Sequence, residues 1–162
     1  MVKFKISTII NKPSNVVSQA FLEPKNIIQW MTNLEKFEVI KGKIGEVGSI
    51  AHLHYYEKSR SYIMEDRIEH CEPGKKYVSQ VLSEALIVHV ETIFYSVDNG
   101  TKMNLAWSGK GKLLFLKLLL PFMRKKIITQ AKAELERFKE LVEIYGVDFS
   151  KSAKKVIKPQ GI

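Results

Sequence analysis

Cysteine is nearly absent from this 162-residue chain: Cys71 is the only one. An internal disulfide is therefore excluded, and so is a metal cage built from several thiolates. Long hydrophobic runs are missing too. The longest, "LLFLKLLLPFM", is interrupted by Lys117 and Pro121, and it is shorter than the roughly 20 apolar residues that cross a bilayer. The N-terminal "MVKFKISTII" meets lysines early and is followed by no small-residue cleavage site, so it does not read as a signal peptide. A cytoplasmic protein is the expectation. Acidic residues are scarce in one part of the chain only. Residues 1–109 carry 13 Lys and Arg against 12 Asp and Glu, a net of +1; residues 110–162 carry 13 against 5, a net of +8 of the total +9. The positive excess thus belongs to the C-terminal third. It suits either a solvated helix face with a basic tail or a transient contact with an anionic membrane through 110–126. Nucleic acid is not an expected partner, because no run of exposed aromatics is evident on which bases would stack.

Two familiar chemistries can be weighed from short motifs. "GKIGEVGS" spaces Gly42, Gly45 and Gly48 three apart around Lys43. It lacks the order in which Lys and Ser/Thr directly follow the last glycine of a phosphate loop. It also lies between two strands, where no helix N-terminus offers free N–H groups to an anion. It reads as a turn that glycine permits. His52 and His54 share one face of a strand, but Ala51, Leu53 and Tyr55 make the better buried set. The histidines are expected to point outward, and no third ligand accompanies them. No cofactor or metal is implied.

What is present is an ordered series of elements. "KFKISTII" suits a first strand. Val16, Val17, Ala20 and Phe21 form one helical face after Pro13, with Ser14 as the expected cap. Pro24 ends that helix and opens a second, carrying Ile27, Ile28, Trp30 and Met31. From 37 to 109 the pattern is strands joined by short turns, hence antiparallel. "DNGT" at 98–101 is the clearest hairpin signal, with Asn99 and Gly100 both tolerant of positive φ. Met123, Ile127, Ala131, Leu135, Phe138, Val142 and Tyr145 then recur at helical steps, Gly146 supplies a C-cap, and Pro121 is expected to start or kink this helix. The domain is set at 1–147, with 148–162 a loose basic tail.

This α+β order resembles the START-like superfamily, the helix-grip group that includes the birch-pollen-allergen-like proteins and the polyketide cyclase/dehydrase and lipid-transport family. The features that carry the resemblance are "INKPSNVVSQAF" leading to "PKNIIQWM", "GEVGS" opening a strand, "NGTKMNLAWS", and "KAELERFKELVE" closing the long helix. The resemblance implies a curved seven-stranded antiparallel sheet wrapped around the C-terminal helix, two short helices between strands 1 and 2, and a cavity between sheet and helix. Such proteins bind hydrophobic small molecules there, and a minority catalyse cyclisation or dehydration.

Strand parity gives the expected lining. Met103, Leu105 and Trp107 oppose Lys102, Asn104 and Ser108; Tyr62, Met64, Asp66 and Ile68 oppose Ser61, Glu65, Arg67 and Glu69. In 86–97 both alternate sets are mixed, and Val88, Val90, Thr92 and Phe94 are taken as inward. Ala131 is small and leaves volume in the middle of the helical stripe. The candidate ligand site is therefore Trp30, Leu53, Tyr55, Tyr62, Met64, Asp66, Met103, Leu105, Trp107, Met123, Ile127 and Ala131. The alternative is an aromatase/cyclase- or dehydratase-type enzyme in which Asp66, its pKa raised by apolar walls, acts as general acid with Tyr62 on the same face.

Overall fold

The computed structural model describes residues 1–152. The elements run β1 (Val2–Ile10), α1 (Ser14–Leu22), α2 (Pro24–Trp30), β2 (Leu34–Lys41), β3 (Ile50–Glu57), β4 (Arg60–Glu72), β5 (Lys76–Leu82), β6 (Leu86–Val97), β7 (Gly100–Gly111) and α3 (Leu114–Tyr145), followed by a single 3-10 turn at Phe149–Lys151. The seven strands form one antiparallel sheet in the order β1-β7-β6-β5-β4-β3-β2. The two edge strands are adjacent in sequence, so α1 and α2 bridge the open side. Strict alternation in β1 buries Val2, Phe4, Ile6, Thr8 and Ile10 and exposes the residues between them, as a half-buried strand requires.

The long helix packs on β1 and β7. Its border there is polar: Glu136 accepts a hydrogen bond from Thr8 Oγ1 at 3.0 Å, and Glu143 accepts one from the Asn11 amide at 2.9 Å. Under this contact lies one core cluster, with Met103, Phe138 and Val142 fully buried. A second, smaller cluster gathers Ile27, Leu34 and Leu53 beneath α2 and β3. The gap between the two clusters positions the site.

Four local expectations need correction. Pro13, not Ser14, occupies the α1 N-cap, and no side chain caps it; Ser14 Oγ instead meets Ser96 Oγ at 3.4 Å. The long helix does not start at Pro121 but runs through it from Leu114. Pro121 lies on the exposed face, so the Lys117 carbonyl deprived of its amide partner can turn to solvent. In the β6–β7 hairpin the turn residues are Asp98 and Asn99, and Asn99 does not take positive φ. Gly100 is needed for space: a Cβ there would stand 2.1 Å from the Ile10 carbonyl oxygen. The left-handed turn occurs at Lys58 (φ 49°) and Ser59 (φ 64°), between Glu57 and Arg60, which pair directly. Finally, residues 148–152 are not loose. Phe149 is fully buried against Phe138, and the fully buried Asn26 donates to Ala20 and Val147 carbonyls and accepts from the Phe149 amide. The rest of the expected tail, 153–162, lies outside the described residues.

Candidate functional site

Between the sheet and α3 is a cavity of about 350 Å³ that opens to solvent on one side. Its walls come from β2 to β7, its roof from α3, and one end from α1, α2 and the 42–49 loop. On α3 the lining residues are Ile127, Gln130, Ala131, Glu134 and Leu135, one face of a helix by their spacing of three and four. On β4 they are Tyr62, Met64, Asp66 and Ile68, every second residue. On β6, Val88, Val90 and Thr92 face the cavity, while Phe94 is buried in the core.

Of the expected ligand residues, Trp30, Leu53, Tyr55, Tyr62, Met64, Asp66, Leu105, Trp107, Ile127 and Ala131 all lie on the lining. Met103 and Met123 do not. Met103 has the right parity, but it sits on β7 between its partners Thr8 and Phe94, where α3 is in contact with the sheet and no space remains. Met123 lies between the exposed residues Phe122 and Arg124 on the leading part of α3, short of the cavity. Sequence parity also missed Phe21, Gln130 and Glu134. The two polar residues had a signal: they stand three and seven positions after Ile127, on the face that Ala131 shares.

An aromatic cluster closes the inner end. Phe21 lies within 6 Å of Trp30, Tyr77, Phe94 and Phe138, ring centre to ring centre, in the stacked and edge-on arrangements that aromatic quadrupoles favour. Trp107 stacks on Phe4 at 5.2 Å. Gly109 makes room for it, since a Cβ there would come within 2.2 Å of the indole ring. At one edge of the lining, where Tyr62 is exposed, Tyr55 and Tyr62 stack at 5.1 Å across the β3–β4 pair. The 42–49 loop is a turn, with Gly42, Gly45 and Gly48 at φ 73°, 83° and 84°. Gly45 packs on Leu22, and Ile44 joins the lining.

Two carboxyl groups interrupt the apolar walls. Asp66 sits on a central strand between Ala51 and Val81. Burial pushes its pKa up to about 6, with Ser79 as a hydrogen-bonding neighbour that partly opposes the rise. Its Oδ1 is shielded from solvent and has no partner in the protein. Glu134 is also pushed up by burial, against the pull of its hydrogen bonds. Its Oε1 accepts from the Thr32 amide at 2.9 Å and from Gln130 Nε2 at 3.2 Å. Burial likewise raises the Tyr55 and Tyr62 hydroxyls and keeps them protonated.

The histidines lie elsewhere. His54 meets Glu38 at 3.0 Å and His52 meets Glu65 at 3.9 Å, each partly exposed and outside the cavity lining. Among the described residues no group of three or more His, Cys, Asp or Glu is arranged to hold a metal ion.

The architecture has close counterparts among solved structures. Ara h 8.0201 superposes with a TM-score of 0.69 at 13% identity, covering 87% of this chain and 97% of that one. The chain has the helix-grip fold. An aromatase/cyclase, Zhui, from Streptomyces sp. R1128 superposes with a TM-score of 0.70 at 11% identity, over 86% of this chain and 92% of that one. The protein SA2116 from Staphylococcus aureus, of unknown function, gives 0.71 at 11% identity, over 88% and 94%. No protein-family model matches the chain, and no curated protein matches it. At such identities the shared feature is the fold, and function has to be argued from the site.

Proposed function

We propose that this protein binds and carries a hydrophobic small molecule in the cavity between sheet and helix. The observation that carries the reading is the cavity itself: about 350 Å³, walled mostly by Leu, Ile, Val, Met and aromatic side chains, and partly open to solvent. That size and lining are those of small-molecule sites. The test is to purify the protein, record its native mass, and identify what denaturation releases, beside an Ala131→Trp variant whose added ring fills the cavity. An apolar passenger bound to the wild type and absent from the variant supports the reading. Equal loading of both would place the passenger elsewhere and overturn it.

A carrier must exchange its cargo, and the leading part of α3 suits docking on an anionic bilayer. Leu113, Leu114, Phe115, Leu118, Leu119 and Phe122 are all exposed, Leu114 at 74% and Phe122 at 86%. Isolated exposed apolar residues are ordinary, but a contiguous group marks an interaction surface. Lys110, Lys112, Lys117, Arg124, Lys125 and Lys126 flank it, and no acid occurs from 99 to 133. This is the pattern of a helix that lies in a membrane interface. Phe122 is five residues from cavity-lining Ile127, about 7.5 Å along the helix. Vesicles containing anionic lipid should bind the protein, less so as salt is added, and a Leu118→Ser/Phe122→Ser variant should not bind. Absence of binding at low salt would remove the docking step. Among the described residues no helix is long and apolar enough to cross a membrane. The free thiol of Cys71 suits the reducing cytoplasm, where we place the carrier.

The second reading is an aromatase/cyclase- or dehydratase-type enzyme, and one observation favours it: a carboxyl with a pKa near 6 inside an apolar cavity is poised for acid–base work. Tyr62, its expected partner, is four residues along the same strand, about 13 Å away by strand rise, and it lies at the exposed edge of the lining. The two groups would therefore act on separate parts of a substrate. Under this reading Asp66→Asn abolishes turnover and leaves ligand affinity nearly intact.

A further inference from the structure

The charged groups on the cavity wall are of one sign. Asp66 and Glu134 are the ionisable side chains set among apolar ones; the other polar lining residues are Ser49, Ser79, Thr92, Gln130 and the tyrosines, and no Lys, Arg or His is among them. The protein as a whole is strongly basic, so this local absence of cations runs against its composition. Arg137 is a cation that bears on Glu134, but it is outside the lining, and its Nη1 donates to the Trp30 carbonyl at 2.9 Å. Inside, Asp66 Oδ1 is an acceptor, buried and without a protein partner; the other unpaired buried group on the lining is a donor, Trp30 Nε1, at the inner aromatic end, which a hydroxyl can also satisfy. The hydrogen bonds that Glu134 accepts both fall on Oε1.

A buried acceptor left unpaired costs stability, which a ligand donor can recover. An anionic head brought to the same place meets two carboxyls and no cation, and a charge buried without a counter-charge is far more expensive. We infer that the cavity takes an amphiphile whose buried polar group is a hydrogen-bond donor, a hydroxyl or a protonated amine, and that it discriminates against carboxylate- and phosphate-headed lipids. This rests on the reading of the cavity as a ligand site. It adds a chemical class to that reading: basic surface outside for the membrane, acidic wall inside for the cargo.

The test uses three probes with the same twelve-carbon tail: dodecanol, dodecylamine and dodecanoate. Each is titrated at neutral pH against the neutral fluorophore N-phenyl-1-naphthylamine bound to the full-length protein. The alcohol and amine should displace the dye at concentrations at least about tenfold below the acid, a gap worth 1.4 kcal/mol. In Asp66→Asn/Glu134→Gln the gap between amine and acid should close; the single variant Asp66→Asn, which should fold well, should narrow it. If the acid competes as well as the alcohol and amine, for instance with its head left in solvent, the donor-head inference is overturned while the cavity stands. If the dye binds and none of the three displaces it, the carrier reading and the inference fall together.

Discussion

Replacing Asp66 by Asn removes one of the two ionisable carboxyls of the cavity while keeping a side chain of nearly the same size that can still accept from Ser79. In the folded protein the carboxyl is pushed from an ordinary value of 3.8 up to about 6 by burial. Between those two pH values the folded chain holds a proton that the unfolded chain has released. Stability therefore falls as pH rises through this window, and above about pH 6 the penalty for the buried charge is complete. At 1.36 kcal/mol for each tenfold change in proton affinity, the full penalty is about 3 kcal/mol. Solvent reaching the group through the open mouth reduces it, and we expect about 2 kcal/mol in practice. Asp66→Asn should thus be more stable than wild type at pH 8 by about 2 kcal/mol, and the advantage should vanish near pH 4. Urea unfolding of both proteins from pH 4 to 8 measures this directly, and the comparison cancels the other carboxylates, Glu134 among them. A stability difference that does not change over this range would refute the assignment of Asp66 as a buried, strained acid.

Other consequences test separate parts of the structure. Asn26→Ala leaves two carbonyls and an amide without partners at the junction of α1, α2 and the C-terminal turn, and should lower unfolding stability by about 3 kcal/mol. Ser59→Gly relieves a left-handed residue in the β3–β4 hairpin and should raise stability by up to about 1 kcal/mol, measured by urea unfolding. Gly109→Ala drives a Cβ into the Trp107 ring; tryptophan emission should shift and dye affinity should change, with the Phe4–Trp107 stack lost.

Much of this was readable where pattern and burial coincide. In β7 the alternation of polar and apolar side chains is clean, in β4 the inward set is only the less polar one, and parity points Tyr62, Met64, Asp66, Leu105 and Trp107 inward, the cavity itself being what the resemblance implies. Parity states which way a residue points, not what it meets, so it could not separate Met103, which faces a closed helix–sheet contact, from Leu105, which faces space. The helical stripe was read from its apolar members, which hid Gln130 and Glu134 on the same face. Local propensity gave way to register in the hairpins: pairing of Glu57 with Arg60 imposes a two-residue turn on Lys58 and Ser59, whereas Asn99, the better left-handed residue, is not asked to adopt that conformation. Of the two roles expected of Pro121, starting the helix is the one that fails, for a related reason. A proline interrupts a helix when its loss of a hydrogen bond is buried, and here the affected turn is on the exposed side.

The most direct test of a ligand-binding cavity is a titration of N-phenyl-1-naphthylamine into wild type and Ala131→Trp, with circular dichroism confirming that both are folded. The exposed apolar patch on α3 is identical in the two proteins, so only binding inside the cavity can distinguish them. The account predicts one saturable site per chain in the wild type and its loss in the variant. Equal binding by both, or no saturable binding by the wild type, would contradict it.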